Sequence, residues 1–168
     1  MTDRTQRAIK DYNYWSVRLH GNQNYLGRCI IWCKREDIED LSECTDAERD
    51  ELFEIIKELK RAAEKLFQPD SLNYAFLGNM EPHLHGHFIP RYQNAREMFG
   101  MTFTDERWGD NYQTDPAFKA TDEVVLKLSR RTKEFYKQKR FQLRLQAGNF
   151  CDEIDGLWHE RRDHPSSR

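Results

Sequence analysis

Three histidines alternate with other residues in segment 83–90, which reads His-Leu-His-Gly-His-Phe-Ile-Pro. On a β-strand, alternate side chains leave on the same face, so the imidazoles of His83, His85 and His87 would line one surface. The chain has six histidines, and half of them fall within five positions. Because each buried imidazole needs hydrogen-bond partners, packing requirements explain this spacing poorly. We therefore expect the chemistry of the protein to lie at this segment.

Imidazoles at this spacing suit nucleophilic attack on phosphorus. A neutral imidazole is a competent nucleophile near pH 7, provided that its second ring nitrogen carries the proton. Neighbouring histidines can orient it and donate protons to a departing phosphate oxygen. The attack gives a phosphoramidate, from which water readily displaces the positively charged imidazole. No metal ion is needed where hydrogen-bond donors surround the developing charge.

Two other uses of the histidines stay open at this point. Two of them could share a metal ion with a ligand from elsewhere, although His83 and His87 would lie about 13 Å apart on an extended strand. The same spacing separates Cys29 from Cys33, and the chain has no Cys-x-x-Cys motif, which argues against a zinc site. The second alternative, an exposed histidine-rich strand, explains neither the spacing nor the apolar flanks.

Composition limits the class of protein. The 168 residues are 38% hydrophobic, 33% charged and 12% aromatic, which fits one polar but folded domain with an appendage. A net charge of −2 gives no electrostatic argument for a nucleic-acid or membrane partner. The sequence shows neither a transmembrane stretch nor a signal peptide. We therefore expect a cytoplasmic protein whose four cysteines are reduced thiols.

An antiparallel sheet is expected to position the histidines. β-favouring residues at 14–19 and 25–33 predict two strands, and residues 72–77 predict a third, directly before the histidine strand. The short turn at Gly78-Asn79 implies antiparallel pairing of the last two strands. Within the second strand, Gly27 indicates a bulge or a close backbone approach.

A long helix is predicted between the second and third of these strands. Thr45 and Glu48 form a capping box at its start, and Pro69 ends it. Apolar residues recur at helical spacing and predict a face that packs on the core, formed by Leu52, Phe53, Ile56, Leu59, Ala63, Leu66 and Phe67.

The sequence changes in character after the histidine strand. Residues 92–120 lack sustained periodicity and predict irregular surface structure, and Thr121 is expected to cap a further helix. We therefore divide the chain into a domain of residues 1–120 and a helical extension of residues 121–168 that is not an independent domain. Residues 127–144 hold eight basic side chains and one acidic one. This stretch is either a solvated helix face or a surface that attracts phosphate or RNA.

The histidine segment and its Pro90-Arg91 end resemble the signature of the histidine triad (HIT) superfamily of nucleotide hydrolases and transferases. Residues 25–31 are similar to the family's glycine-containing strand, and residues 41–48 resemble its leucine and helix start. The resemblance covers residues 13–92. It implies an α+β fold with an antiparallel sheet of five or so strands and a long flanking helix, here followed by the helical extension. Many members of the superfamily are homodimers, which implies a homodimer here.

The resemblance also implies distinct roles for the three histidines. His85 resembles the nucleophile that takes the nucleotidyl group on its Nε2 atom. His83 resembles the histidine that helps to orient it. His87 resembles the one that contacts the phosphate and helps the leaving group to depart. Since the transferase branch typically has glutamine at this last position, a histidine there favours hydrolysis.

Further contacts with a nucleotide are implied for three amide side chains. Asn79 stands where the family commonly has a polar residue before the triad, and it would donate to phosphate or ribose oxygens. Asn22 and Gln23 fall near the family's ribose-contacting loop, although all three residues also suit plain turns. The resemblance implies neither a cofactor nor a resident metal ion.

Two positions depart from the family pattern. Many relatives carry a further histidine after the glycine-containing strand, where this chain has Glu36, so any contribution from that position is lost or altered. Gly86 replaces the usual bulky residue between the second and third histidines. Because that side chain would face away from the site, we expect a change in packing and not in chemistry.

Taken with the resemblance, the sequence predicts a hydrolase that cleaves at the α-phosphate through a nucleotidyl-His85 intermediate. Dinucleoside polyphosphates such as diadenosine tetraphosphate, or nucleoside phosphoramidates, are the candidate substrates. The alternatives are a nucleotide-binding adaptor with little catalysis and a metal-dependent enzyme. A nucleic-acid end-processing role rests on the basic stretch at 127–144.

Overall fold

The computed structural model describes residues 3–138 of the chain. Among the described residues, 3–133 belong to one compact unit and 134–138 to a second one. The first unit is an α+β fold in which an antiparallel five-stranded sheet is flanked by one long helix, as predicted. Residues 122–133 are also helical. The basic stretch at 127–144 extends beyond the described residues, so its role stays a prediction, as does the boundary at residue 120.

The five strands of the main sheet lie in the order β1-β2-β3-β5-β4, and each is antiparallel to its neighbours. A 3₁₀ turn at Leu41–Glu43 precedes the helix α1. The elements in chain order are β1 (Ala8–Asp11), β2 (Trp15–Leu19), β3 (Cys29–Cys33), α1 (Asp46–Leu66), β4 (Ser71–Phe76), β5 (His85–Arg91), β6 (Arg96–Met98) and β7 (Met101–Phe103).

The strand predictions were confirmed in outline, although residues 77–84 join β4 to β5 where a two-residue turn was expected. Three further corrections concern the rest of the chain. Strand β1 was not predicted, because it is only four residues long and lacks a clear alternation. The predicted strand at 25–33 begins only at Cys29, since Gly27 adopts a φ of +81° and the residues before it form a turn. Strands β6 and β7 form a short hairpin inside the segment 92–120 that was expected to be irregular.

Helix α1 begins with the predicted capping box, in which Thr45 and Glu48 satisfy each other's backbone amides. Its buried apolar face is rotated from the predicted one. Phe53 is 57% exposed, whereas Ile55, which the prediction omitted, is fully buried. The buried residues of the helix are Glu48, Leu52, Ile55, Leu59, Ala62 and Ala63. No helix within residues 3–138 is long and apolar enough to cross a membrane.

The two faces of the sheet differ in what they contact. One face is buried toward α1, and on it the indole Nε1 of Trp15 donates to the carbonyl oxygen of Glu48 at 2.8 Å. The other face carries the polar side chains. Strand register places Ile30 opposite His87 and Trp32 opposite His85 on this second face. Because cross-strand partners share a face, β3 and β5 together present the histidines.

Candidate active site

His85 is the first residue of β5, and a backbone carbonyl just before the strand fixes the orientation of its ring. The Nδ1 atom lies 2.8 Å from the carbonyl oxygen of His83. A carbonyl oxygen can only accept, so Nδ1 must carry the proton and donate it. The other ring nitrogen, Nε2, is therefore left with its lone pair free, which is the state that a nucleophilic imidazole requires.

His83 lies just before β5, not within it, which corrects the expectation that all three histidines alternate along one strand. Its ring nevertheless stays at the site. The imidazole stacks on the indole of Trp32 with ring centroids 4.1 Å apart and an interplanar angle of 9°. Its Nε2 lies 3.1 Å from the carbonyl oxygen of Arg35 and donates to it. The same indole lies 5.4 Å from the ring of His85.

The carbonyl that holds His83 is itself supported by a partly buried ion pair. The guanidinium of Arg35 donates to both carboxylate oxygens of Glu48, at 2.9 and 3.0 Å. Hydrogen bonds from Arg35 are the main cause that lowers the pKa of Glu48 to about 2. Glu36, the residue that stands in place of the family's further histidine, is exposed. The effect of that replacement on catalysis stays a prediction.

His87 lies two residues further along β5 and is half-buried, like His85. Its Nδ1 lies 3.5 Å from the Nη2 of Arg28, which has hydrogens to donate. Burial is the main cause that lowers the pKa of His87 to about 4, and the charge of Arg28 adds to it. The ring of His87 lies 5.2 Å from that of His85 and 6.4 Å from that of Tyr112. At neutral pH this imidazole is uncharged.

A fourth histidine, His20, completes the cluster. It follows β2, and its ring lies 6.0 Å from that of His87. Its Nδ1 is 2.7 Å from the carbonyl oxygen and 3.0 Å from the backbone nitrogen of Asn22. Burial is again the main cause that lowers the pKa, here to about 3, followed by the charge of Arg28. The site therefore holds a second neutral imidazole beside His87.

The amide side chains predicted to bind substrate occupy different environments. Asn22 donates to the carbonyl oxygen of Asp115 at 2.7 Å and accepts from the backbone nitrogen of Asn24 at 2.9 Å. Gln23 has no exposed surface and bonds to the backbone of its own turn. Asn79 is exposed in the connection between β4 and β5 and makes no hydrogen bond within the described part of the chain. The structure thus brings the histidines together, whereas Gln23 holds the loop beneath them.

Gly86 faces away from the histidines, as expected. A Cβ atom at this position would lie 2.6 Å from the ring of Phe76 on β4. The aromatic ring therefore fills the space that a bulkier residue would take. A cleft of about 100 Å³ opens beside His83 and His85 and is otherwise lined by residues 39–41, 76–78 and 84.

Three residues of the site were not predicted from the sequence: His20, Arg28 and Trp32. His20 opens a segment whose composition is that of a turn, and turn residues carry no signal for a buried ring. Arg28 did offer a signal, because a charged residue directly before the apolar strand β3 needs a partner. Trp32 alternates with buried Ile31 and Cys33, a pattern that places it on the polar face.

The metal alternative can be tested against the geometry of the histidines. Within residues 3–138, no group of three or more histidine, cysteine, aspartate or glutamate side chains is arranged to hold a metal ion. One ring nitrogen of His83 and one of His85 are instead engaged with carbonyl oxygens.

Comparison with known proteins identifies the family of the chain. A sequence model of the HIT domain family matches residues 4–94, and the chain belongs to this family. No curated protein sequence matches the chain significantly.

Solved structures show the same fold. A histidine triad protein from Marinobacter aquaeolei VT8 is 21% identical, with a TM-score of 0.63 over 80% of this chain and 93% of that one. A histidine triad protein from Bradyrhizobium japonicum is 24% identical, with a TM-score of 0.56 over 76% and 92%. A diadenosine triphosphate hydrolase from Plasmodium falciparum is 12% identical, with a TM-score of 0.58 over 80% and 78%.

Proposed function

We propose that the protein is a nucleotide hydrolase that cleaves at the α-phosphate through a covalent nucleotidyl-His85 intermediate. Its substrates are dinucleoside polyphosphates or nucleoside phosphoramidates. The observation that carries this proposal is the 2.8 Å contact between His85 Nδ1 and the carbonyl oxygen of His83, which leaves Nε2 free to attack. Membership of the HIT family and the fold shared with a diadenosine triphosphate hydrolase support it.

In the first step, the lone pair of His85 Nε2 attacks the α-phosphorus. A P–N bond forms, and the bond from phosphorus to the leaving group breaks with its electron pair going to the leaving group. The His85 ring becomes positively charged, because Nδ1 keeps its proton. The carbonyl oxygen of His83 stabilises this charge, since the hydrogen bond strengthens when its donor is ionised.

In the second step, water attacks the same phosphorus and the P–N bond breaks. The electron pair returns to Nε2, and the proton that water loses goes to solvent or to a phosphate oxygen. The nucleoside monophosphate is released, and His85 regains its original tautomer. His87 faces the phosphate during both steps and donates a hydrogen bond to it.

Substrate contacts outside the triad come from the two loops beside it. The exposed amide of Asn79 is free to donate to phosphate or ribose oxygens. Asn22 lies next to His20, with its backbone nitrogen 3.0 Å from the Nδ1 of that ring. Gln23 contributes to substrate binding indirectly, because its side chain holds the backbone of the loop between β2 and β3. A homodimer is the proposed assembly, and β4, as an edge strand, is available for pairing.

The test is trapping of the intermediate. Protein is incubated with a dinucleoside polyphosphate that is radiolabelled at the α-phosphate, quenched in alkali and separated under denaturing conditions. We expect label on the wild type and none on His85→Ala, whose turnover should fall by at least about 100-fold. Lys57→Ala, on the exposed side of α1, serves as the control and should match the wild type.

Three outcomes would contradict the proposal. Full turnover by His85→Ala would exclude a nucleotidyl-His85 intermediate. Tight nucleotide binding without turnover across a panel of polyphosphates and phosphoramidates would indicate the adaptor function instead. Turnover that is abolished by a chelator and restored by a metal ion would indicate a metal-dependent enzyme.

A further inference from the structure

Arg28 is a buried cation without a carboxylate partner. The residue is 2% exposed, and its guanidinium makes no ion pair within residues 3–138. Its Nη1 donates to the hydroxyl oxygen of Thr114 at 2.7 Å. Its Nε is buried and has no hydrogen-bond partner in that same part of the chain. Its guanidinium carbon also lies 5.4 Å from the centroid of the Tyr112 ring, which gives a cation–π contact but no countercharge. Because a buried cation without a countercharge is costly, its presence at this place calls for a function.

The backbone around Arg28 is tightly fixed. The side chain of Gln23 donates to the carbonyl oxygen of Arg28 at 2.9 Å and accepts from the backbone nitrogen of Gly27 at 2.9 Å. The backbone nitrogen of His20 donates to the same carbonyl oxygen at 2.9 Å. These bonds hold the backbone of Arg28, and the bond from its side chain to Thr114 helps to hold the guanidinium beside the ring of His87.

We propose that Arg28 is a positioning residue that holds His87 in the tautomer with its proton on Nε2. The guanidinium is a donor with no acceptor capacity, so the Nδ1 atom that it faces at 3.5 Å must be unprotonated. The remaining proton of the neutral ring then sits on Nε2. This inference rests on the proposed function, in which that nitrogen faces the phosphate bound at His85.

The other groups around His87 do not dictate the tautomer. The rings of His85, His20 and Tyr112 lie 5.2, 6.0 and 6.4 Å away, centroid to centroid. No hydrogen bond joins any of them to His87 in the described part of the chain. Arg28 is therefore the one group on which a defined protonation pattern of His87 depends within residues 3–138.

The consequence is a division of labour between the histidines. His85 is protonated on Nδ1 and attacks through Nε2, whereas His87 is protonated on Nε2 and donates through it. Two chemically identical side chains, two residues apart on one strand, thus take opposite tautomers because their Nδ1 atoms face opposite partners. The carbonyl oxygen of His83 can only accept, so Nδ1 of His85 carries a proton. The guanidinium of Arg28 can only donate, so Nδ1 of His87 does not.

Nitrogen NMR of the histidine rings in the intact wild-type protein tests this directly. At neutral pH we expect Nδ1 of His87 to resonate as an unprotonated nitrogen and Nε2 as a protonated one, with the reverse pattern at His85. A protonated Nδ1 at His87 would overturn the inference. This measurement needs no turnover, so it is independent of the proposed function.

Variants separate positioning from mere structural support. Arg28→Met removes donor and charge, and we expect a mixed tautomer at His87, a raised pKa of that ring and a kcat lower by roughly tenfold or more, with KM nearly unchanged. Arg28→Lys restores a donor and should recover most of kcat. Arg49→Met, on the exposed side of α1, is the matched control and should leave all three readouts unchanged.

The outcomes remain distinguishable if a variant folds poorly. Thr114→Val removes the hydrogen bond from Arg28 Nη1 and should shift the nitrogen signals of His87 in the same direction, to a smaller extent. If Arg28→Met folds and leaves tautomer and kcat unchanged while His85→Ala is inactive, the inference fails and the proposed function stands. If His85→Ala is active, the proposed function fails whatever the tautomer of His87.

Discussion

The imidazole of His83 and the indole of Trp32 lie almost parallel, 4.1 Å apart with 9° between their planes. The guanidinium carbon of Arg18 lies 4.7 Å from the centroid of the same indole. Trp32 therefore fixes the ring plane of His83, while the carbonyl oxygen of Arg35 fixes its rotation. The backbone of His83 in turn orients the nucleophile His85. The position of Trp32 on β3 therefore affects the reactivity of His85 on β5.

Removal of this stacking surface should impair catalysis more than folding. Trp32→Ala should lower kcat by roughly two- to tenfold, because an aromatic pair contributes roughly 0.5–1.5 kcal/mol beyond the area that it buries. Trp32→Phe keeps a flat ring at the same place and should retain most of the activity. Steady-state kinetics and thermal unfolding of the two variants check this. Equal kcat for Ala and Phe variants would show that stacking on His83 is irrelevant to the reaction.

Stability should fall on mild acidification because of His20 and His87. Their folded-state pKa values, about 3 and about 4, lie below the ordinary 6.5 of the unfolded chain. As the pH falls below 6.5, these two histidines bind protons in the unfolded state but stay unprotonated in the folded state. The free energy of unfolding therefore decreases. Between pH 6.5 and about 5 we expect a loss of roughly 2 kcal/mol after allowance for solvent screening. Urea unfolding at a series of pH values measures it.

The pH window identifies the groups responsible. Glu48 loses its stabilising ionisation only below its ordinary value of 4.5, as pH falls toward its folded pKa of about 2. A decrease in stability that begins near pH 6.5 therefore belongs to histidines. His20→Gln should flatten the curve between pH 6.5 and 4.5, whereas Glu48→Gln should flatten it only below 4.5. An identical curve for His20→Gln and wild type would contradict the assignment.

The sequence predicted the elements whose signals are local. The capping box at Thr45 and Glu48 depends on four adjacent residues, and helix α1 begins there. The buried face was predicted only in part: Leu52, Leu59 and Ala63 are buried as expected, whereas Phe53 is exposed and Ile55 is buried in its place. Phe53 and Ile55 point about half a turn apart around the helix. Ile55 stands at helical spacing from Leu52 and Leu59, so the periodicity itself favours Ile55 over Phe53.

The site shows the limit of local signals. The spacing of His83, His85 and His87 was enough to predict where the site lies, because the three residues fall in one short segment. The tautomer of His85 is set locally, by the carbonyl oxygen of His83 two residues before it. The partners of His87 and His83 lie elsewhere in the chain: Arg28 is 59 positions from His87, and Arg35 is 48 positions from His83. Only the register of β3 against β5 brings them together, and pairing register is not readable from one sequence.

Phosphoanhydrides should be hydrolysed faster than phosphoramidates. An amine leaving group must gain a proton as the P–N bond breaks, whereas a phosphate departs readily as an anion. His87 is neutral at pH 7, with a pKa of about 4, so it donates a hydrogen bond more readily than a proton. We expect kcat/KM for diadenosine tetraphosphate to exceed that for adenosine 5′-phosphoramidate by about tenfold or more at neutral pH. Equal values, or a preference for the phosphoramidate, would show that the bound substrate recharges His87.

Gly27 should resist substitution, because two independent features require glycine there. Its φ of +81° is costly for any residue with a side chain, and a Cβ atom would lie 2.6 Å from the ring of Phe67. Gly27→Ala should lower the free energy of unfolding by roughly 1–3 kcal/mol and displace the adjacent Arg28, so that kcat falls as well. Phe67→Leu relieves the contact but not the backbone conformation, and it has a cost of its own because Phe67 is buried. Urea unfolding should therefore show that Gly27→Ala costs less in the Phe67→Leu background than in the wild type, but still costs stability. No cost in that background would mean that the positive φ is not strained.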